Sequence, residues 1–305
     1  MHFDIPDLRL FIHIAEAGSL TAGARSASLS TAAASTRMKS LESQLGCRLF
    51  YRESQGIELT PGGQQLLIHA RTIMRQVEYV KADFSKMQNK TEGHIRIFAN
   101  TTAVTDFMPQ ILAKFMAERP DVTIDLQERP TNDIFRCVLD GAADIGITSG
   151  DVLVEGVETI PFSEDRLVVV TSPNHPLSKN NNLSFRDTLD YSYVGLHHGS
   201  TIFQFLVNES QKYGIKLPLK MQVYGFEQAC RLIEAGVGIG ILPESSALRY
   251  KEKMDLNILT INDDWSVRKR FVVVREVESI SEICKDLIQE IWDHHNSDII
   301  QKSIS

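Results

Sequence analysis

Between Gly18 and Phe50 the apolar positions fall on a helical beat. Ala34, Met38, Leu41 and Leu45 recur at intervals of four, three and four. They therefore share one face of a helix predicted from about Thr31 to Gln44, with Ser30 as N-cap and Gly46 as stop. A shorter helix, from about Leu20 to Ala27 and capped by Ser19 or Thr21, precedes it across a tight turn. The outward face of the second helix carries Thr31, Ala32, Ser35, Thr36, Lys39 and Ser40, with Arg37 and Ser43 at its borders. Leu49 to Arg52, a Gln55-Gly56 turn and Ile57 to Thr60 then read as a β-hairpin.

From Pro61 to about Lys90 the pattern predicts one long helix. Leu66, Ala70, Ile73, Val77, Val80, Phe84 and Met87 alternate at spacings of four and three, the seam of a two-stranded coiled coil. The alternative is a single helix laid on its own domain. Beyond Gly93 strands and helices alternate. Ile95 to Ala99, Val122 to Leu126, Asp144 to Ile147 and Val157 to Phe162 read as strands, with helices at Val104 to Glu118 and Asn132 to Leu139. A second set has strands at Leu167 to Thr171, Tyr193 to Leu196, Lys220 to Tyr224 and Ile239 to Leu242, and helices at Thr201 to Tyr213 and Glu227 to Ala235. The chain returns through Leu256 to Thr260 and Phe271 to Val274 into a last helix from about Ile280 to His294. Such repeats predict parallel sheets in two α/β lobes, with crossovers near Ser163-Glu164 and Trp265-Ser266.

The chain has 305 residues and a net charge of -7, which at first argues against nucleic acid. Its distribution reverses that inference. Residues 1–90 hold 11 Lys+Arg against 8 Asp+Glu, a charge of +3, while residues 91–305 hold 21 against 31, a charge of -10. Between Gly18 and Arg52, Arg25, Arg37, Lys39, Arg48 and Arg52 stand against Glu42. A helix with an apolar keel and an outer row of small hydroxyl and basic residues suits a DNA groove, the small residues admitting close approach while Arg and Lys reach phosphates or base edges. The bland reading of the same periodicity is an amphipathic hairpin packed in any globular domain.

No stretch approaches twenty apolar residues, and the start has no basic segment leading into an apolar core, so a cytoplasmic location is expected and a membrane partner is not. Cys47, Cys137, Cys230 and Cys284 are far apart and are expected as buried, unpaired thiols, although spacing leaves a redox pair open. Gly236, Gly238 and Gly240 mimic a dinucleotide loop but lie between a helix and a strand, the reverse of the required order. Neighbouring His197 and His198 point to opposite sides of an extended chain, which disfavours a shared metal. No nucleophile elbow, zinc-protease motif or P-loop is present, so neither an enzyme nor a cofactor is expected.

Asp7 to Ile73 resembles the N-terminal winged helix-turn-helix domain of the LysR-type transcriptional regulators. The resemblance rests on Leu8, Phe11, Ala15-Glu16, Gly18-Ser19-Leu20-Thr21, Ala24, Leu29-Ser30, Ala33, Ser35, Leu41-Glu42, Leu45-Gly46, Leu49-Phe50, Arg52, Leu59-Thr60-Pro61-Gly62-Gly63 and His69-Ala70. The chain departs from the family at Thr31-Ala32, where Gln-Pro is usual, and at Thr36, where Arg is usual. The resemblance implies an α/β protein with an all-α-rich winged helix-turn-helix domain at 1–60, a linker helix at 61–90 for dimerisation, and an effector domain at 91–305. That last region would have the type-two periplasmic binding protein fold, with lobe I at about 91–163 and 267–305 and lobe II at about 164–266. Ser19, Thr21, Arg25, Ser30, Thr31, Ala32, Ser35, Thr36, Arg37, Lys39, Ser40 and Arg52 form the expected DNA-contacting set.

Ligands of such two-lobed folds sit at strand carboxyl ends, where helix N-termini present free N–H groups. That places Thr101, Thr102, Ala103, Thr148, His197, His198, Ser200 and Thr201 around a small-molecule effector that carries a carboxylate, with Phe203 or Phe226 covering an apolar portion. The competing reading of these hydroxyls is plain helix capping. The resemblance implies further partners: promoter or operator DNA, a second copy of the chain in a homodimer and then a homotetramer, and RNA polymerase. The rival class is a solute receptor whose first ninety residues are only an anchor or dimerisation module.

Overall fold

The computed structural model describes residues 3–53, 56–86, 93–150, 154–179 and 183–302. The chain divides into two compact units, Met1–Gly93 with Leu139–Ala142, and His94–Val138 with Ala143–Ser305.

The first unit opens with helix α1, Ile5–Ala17. Asp4 Oδ1 accepts from Asp7 N at 3.0 Å and Asp7 Oδ2 accepts from Asp4 N at 3.2 Å, a reciprocal cap that satisfies two orphan donors. Helix α2, Leu20–Ser26, is capped by Ser19, whose Oγ accepts from Ala22 N at 3.4 Å, so Thr21 lies inside the helix. Gly23 lets α1 and α2 cross in direct contact, since a Cβ there would stand 2.5 Å from Ile14 Cα. Ser28 turns the chain in the left-handed region at φ 55.

Helix α3, Thr31–Leu45, starts at Ser30, whose Oγ accepts from Ala33 N at 3.2 Å, and ends at Gly46 with φ 69. Strands β1, Phe50–Glu53, and β2, Gly56–Leu59, pair antiparallel with Phe50 opposite Leu59 and Arg52 opposite Ile57; Gln55 of the expected turn lies outside the described residues. Thr60 donates to Arg48 O at 2.6 Å and accepts from Gly63 N at 3.0 Å, which starts helix α4, Pro61–Lys86.

Leu8, Phe11, Ile14, Met38, Leu41, Leu49 and Phe50 form the core of this unit, with the Phe11 and Phe50 rings 5.2 Å apart. The expected seam of α4 divides. Ala70 is fully buried in that core and Leu66 packs on it, whereas Ile73 and Val80 are 41% and 55% exposed. Phe84's side chain and Met87 lie outside the described residues.

The second unit begins with β3, Gly93–Ala99, then a π-helical turn, Ala103–Phe107, and α5, Met108–Ala117, where the sequence predicts one continuous helix. Next come β4, Val122–Glu128; α6, Thr131–Leu139; β5, Ile145–Ser149; and β6, Glu158–Thr171. The two strands expected at 157–162 and 167–171 are thus one. Helix α7, Phe185–Thr188, β7, Tyr193–Leu196, α8, Thr201–Lys212, and β8, Leu219–Val223, follow. Then come α9, Phe226–Glu234, β9, Gly240–Pro243, α10, Glu244–Lys251, β10, Asn257–Thr260, β11, Val267–Val274, and α11, Glu282–Lys302.

The sheets are mixed rather than parallel throughout. β3 and β5 run parallel, as do β7 and β8, but β11 is antiparallel to β5, and β6 is antiparallel to β9, β10 and β11. Reversal at these strands is forced because β6 and β11 carry the chain out of one lobe and back. They pair from Glu158 opposite Val274 to Arg166 opposite Val267. Two cores flank this pair. Ile95, Ile97, Phe115, Ile145, Val272 and Leu287 belong to lobe I; Val169, Phe185, Tyr193, Phe226, Ile233 and Ile241 belong to lobe II.

Candidate functional site

On α3 the keel residues Ala34, Met38 and Leu41 are buried, which turns Thr31, Ala32, Thr36, Lys39 and Ser40 outward, with Ser35 part-buried. Among the described residues Lys39, Arg25 and Arg48 have no ion pair, so their charges face solvent undiverted. Arg37 is engaged elsewhere: its Nε donates to Asp7 Oδ1 at 2.7 Å and its Nη2 to Asp4 Oδ1 at 3.0 Å. The bond to Asp7 raises the Arg37 pKa, and Asp4 is held below the ordinary carboxylate value by the Asp7 backbone N–H and by Arg37. Arg37 is therefore a brace between α3 and the start of α1. Thr36 donates its hydroxyl proton to Ala32 O at 3.0 Å, and Ser19 and Ser30 use theirs as caps. Thr21 and Arg25 are exposed on α2; Arg52 sits in β1, its side chain outside the description.

In the second unit the cleft between the lobes holds an inner cavity of about 30 Å³, on the scale of two waters. Asn100, Thr101, Thr102 and Ser149 line it from lobe I, Ser200, Thr201 and Ile202 from lobe II, and Asp165, Arg268 and Arg270 from the connecting strands. Asn100 organises the lobe I wall: its Nδ2 donates to Ser149 Oγ at 3.0 Å and its Oδ1 accepts from Ala103 N at 3.0 Å. Outside lies a larger recess of about 430 Å³, bounded by Thr131, His198, Gln204, Asn208, Trp265 and Arg268 among others. Ser149, Thr201 and Arg268 border both.

Several expected effector residues lie elsewhere. Ala103 and Thr148 are buried and line neither cavity. Phe226 is 1% exposed inside the lobe II core, and Phe203 packs into the same core with His198 edge-on to its ring at 5.2 Å. Both follow from position: each stands at the start of a helix whose apolar face covers the sheet, so burial of the ring takes precedence over display in the cleft. His197 faces away from His198, stacked on Tyr224 at 5.1 Å. None of the four cysteines is in a disulfide, yet only Cys230 and Cys284 are buried; Cys137 is part-buried and Cys47 exposed. Burial pushes the Cys230 thiol up to about 12, with Glu227 and Glu234 adding to it.

Among the described residues, two groups of contacts join the lobes. On the recess side Thr131 and Thr201 hydroxyls meet at 2.9 Å, and His197 Nε2 lies 3.6 Å from Glu128 Oε1, which also accepts from Thr101 Oγ1 at 2.6 Å. On the other side Asp106, in the π-turn, accepts from Ser246 Oγ and, at 2.5 Å, from Arg249 Nη2, both on α10. Burial raises the Asp106 pKa although Ser246, Arg249 and Arg270 oppose it. Beside it Ser245 Oγ donates to Asp165 Oδ2 at 2.6 Å, and Arg270 donates to both Asp165 and Ser245. The Asp165 and Arg270 side chains are 13% and 7% exposed, so removing either would cost about 3–5 kcal/mol, whereas an exposed pair contributes about 0–1 kcal/mol.

Sequence reasoning missed Arg268, Arg270, Asp165 and Asp106. The polar run Ser163 to Arg166 and the alternation Arg268, Arg270 carried a signal, since charges on both strands of one pair mark a half-buried ribbon rather than a covered sheet.

A winged helix-turn-helix unit and a two-lobed unit with a cleft lined by polar side chains together define a DNA-binding regulator with a ligand-binding domain. Residues 5–64 match the family model of the bacterial regulatory helix-turn-helix protein, lysR family, and residues 88–296 match the LysR substrate binding domain. The chain is 26% identical over 288 residues to the HTH-type transcriptional regulator GltR of Bacillus subtilis, covering 94% of this chain and 95% of GltR. Among solved structures it is similar to a full-length OxyR variant of Pseudomonas aeruginosa (TM-score 0.74, 17% identity, 96% of this chain and 94% of that one). Full-length CbnR in complex with its target DNA follows (TM-score 0.62, 20% identity, 95% and 99%), and the effector domain of QuiR in complex with shikimate covers 68% of this chain and 98% of its own (TM-score 0.55, 22% identity).

The chain belongs to the LysR family. It is a DNA-binding transcriptional regulator with a ligand-binding effector domain, and like the regulators it matches it is not an enzyme. No helix among the described residues is long and apolar enough to cross a membrane.

Proposed function

We propose that the α3 helices of a dimer read successive major grooves of a promoter, with the β1–β2 wing on the flanking backbone. An effector bearing a carboxylate, seated between the lobes, then shifts the lobe arrangement and with it the bend of the operator. The observation that carries this reading is the outward row of α3, small and hydroxyl-bearing apart from Lys39, over the buried Ala34, Met38 and Leu41. Lys39, Thr31, Ala32, Ser35 and Ser40 are the base-reading candidates, Arg25, Thr21 and Arg52 the backbone contacts, and Arg37, Ser19, Ser30 and Thr36 hold the helices in place.

The exposed Ile73 and Val80 on α4 support self-association, first as a dimer and then as a tetramer, and RNA polymerase is the remaining macromolecular partner of a cytoplasmic regulator. A carboxylate fits a cleft edged by Arg268, Thr101, Thr102, Ser200 and Thr201, and shikimate in the QuiR domain is such an acid. Mobility shift with the intergenic DNA beside the gene, at several salt concentrations and against a chain lacking residues 1–90, tests the DNA role. Retained binding by the truncated chain, or none by the full chain, would overturn it. Thermal shift with a set of small carboxylates tests the effector class, because a ligand of the folded state raises its melting temperature.

A further inference from the structure

The two cavities of the cleft differ in size and in lining, and together they describe a molecule with two parts. We infer that the effector is a polyhydroxylated carboxylic acid of the sugar-acid class, its carboxylate in the inner cavity beside Arg268 and its hydroxyl-bearing body in the outer recess. This deepens the reading of the cleft as a carboxylate site and rests on that reading for the acid group alone.

The inner cavity, about 30 Å³, admits a group the size of a carboxylate and little more. Its walls hold donors with no acceptor. Thr102 is 6% exposed, and among the described residues its hydroxyl has no hydrogen-bond partner. Ser200, 2% exposed at the start of α8, accepts from Phe203 N at 3.5 Å, which leaves its own proton to donate. Arg268 borders both cavities and is fixed at their junction. Its Nη2 donates to Ser149 O at 3.3 Å, and its guanidinium lies 4.3 Å from the centroid of the Phe205 ring. Gly150, at φ 94, makes room for it, since a Cβ there would stand 2.1 Å from Arg268 Nη2. A guanidinium stacked on a ring still offers its N–H edge to a planar anion.

The rest of the effector must project past Ser149, Thr201 and Arg268 into the recess of about 430 Å³. Trp265 and Phe205 meet edge to face there, with centroids 5.1 Å apart, and supply an apolar surface for the C–H face of a ring. Around them stand Asn132, Asn208, Gln204 and Asp264. Among the described residues the Asn132 and Asn208 side chains make no hydrogen bond, and Gln204 uses its Nε2 on His198 O at 2.8 Å. An amide side chain both donates and accepts, and so does a hydroxyl, so a row of hydroxyls satisfies these groups. A hydrocarbon or bare aromatic body would cover them without pairing them, which is unfavourable. A second carboxylate would meet Asp264, within residues 91–305 whose formal charge is -10.

Ligands that share one ring test the two parts separately. D-galacturonate has both, D-galactose has the hydroxyls without the acid, and tetrahydropyran-2-carboxylate has the acid without the hydroxyls. D-glucuronate and D-gluconate accompany D-galacturonate, so that the direction of one hydroxyl does not decide the outcome. Titration calorimetry with the full chain should find binding by a sugar acid, with both truncated ligands weaker by roughly a hundredfold. Asn208→Ala, at an exposed position of α8 where folding tolerates it, should weaken the sugar acid roughly tenfold and leave tetrahydropyran-2-carboxylate unchanged. Arg268→Gln should weaken both acids. If tetrahydropyran-2-carboxylate binds as tightly as the sugar acids, or if Asn208→Ala alters neither acid or both alike, the hydroxylated body is overturned and the carboxylate reading stands. D-galactose binding as tightly as the sugar acids overturns that reading as well. No binding by any sugar acid at millimolar concentration overturns the class, while a thermal shift with another carboxylate would still uphold the site.

Discussion

Arg37 and Lys39 stand two positions apart on one helix and do different work. Lys39 projects from the face opposite the keel, while Arg37 spends two of its N–H groups on the acidic start of α1. Lys39→Ala is expected to weaken promoter binding by about 1–3 kcal/mol if the side chain meets a base, or to lower the salt dependence by about one ion if it meets a phosphate. Arg37→Ala should act through the fold instead, lowering the melting temperature modestly, because the guanidinium is 36% exposed and its pairs are screened by solvent. Fluorescence anisotropy titrations at three salt concentrations, paired with thermal melts, separate the two. The brace has a pH signature as well. With the Asp4 pKa depressed, its contribution is present above the ordinary carboxylate value of 3.8 and is lost as pH falls below it. Period and charge made the exposed row legible in the sequence. They could not show that Asp4 and Asp7, thirty residues upstream, take one of its two central cations.

Among the elements, α4 shows what periodicity can and cannot resolve. The spacing of Leu66, Ala70, Ile73, Val77 and Val80 was readable as one seam, but a seam says only that something covers it. The first turns are covered by the helix's own domain, with Ala70 fully buried, and the later ones carry exposed Ile73 and Val80. Ile73→Glu with Val80→Glu is accordingly expected to leave the domain folded and to shift the full chain toward monomer, as read by sedimentation velocity at micromolar concentration. Unchanged association would move the self-contact elsewhere. The two elements misread or missed share a cause. The pattern predicts two strands where β6 is one because Ser163 to Arg166 is polar and partly exposed, which breaks the apolar run without breaking the ladder. α10 is a short span after Leu242-Pro243 whose buried positions are Ser246 and Ala247, leaving little apolar rhythm to detect.

At the scale of the whole chain, the two-lobed plan was legible from strand–helix alternation, but the polar network at the ribbon was not, since its members lie up to 164 positions apart in the chain, from Asp106 to Arg270. One buried group in that neighbourhood sets a pH limit. His295 packs between the rings of Phe107 and Phe162, each 5.0 Å away, and its Nε2 is buried with no hydrogen-bond partner. Burial, then Arg270 and His294, lowers its pKa from 6.5 to about 3. Between those values the unfolded chain holds the proton and the folded chain does not, so stability rises with pH across that window. Lowering the pH from 6.5 to 5 should cost about 2 kcal/mol at 1.36 kcal/mol per unit. Calorimetry should find that His295→Phe flattens the profile in that range; an unaltered slope would assign the loss to other groups.

The ribbon of β6 and β11 carries one last consequence. Because Arg166 and Val267 face each other across it, lobe II is an excursion that begins and ends at adjacent points, and the remainder of the unit closes on itself without it. Replacing residues 167–266 by an Asn-Gly turn would convert the ribbon into an ordinary hairpin. The shortened protein should fold around the core of Ile97, Phe115, Val272 and Leu287, give a cooperative melt, and offer the cell a DNA-binding chain deaf to any small molecule.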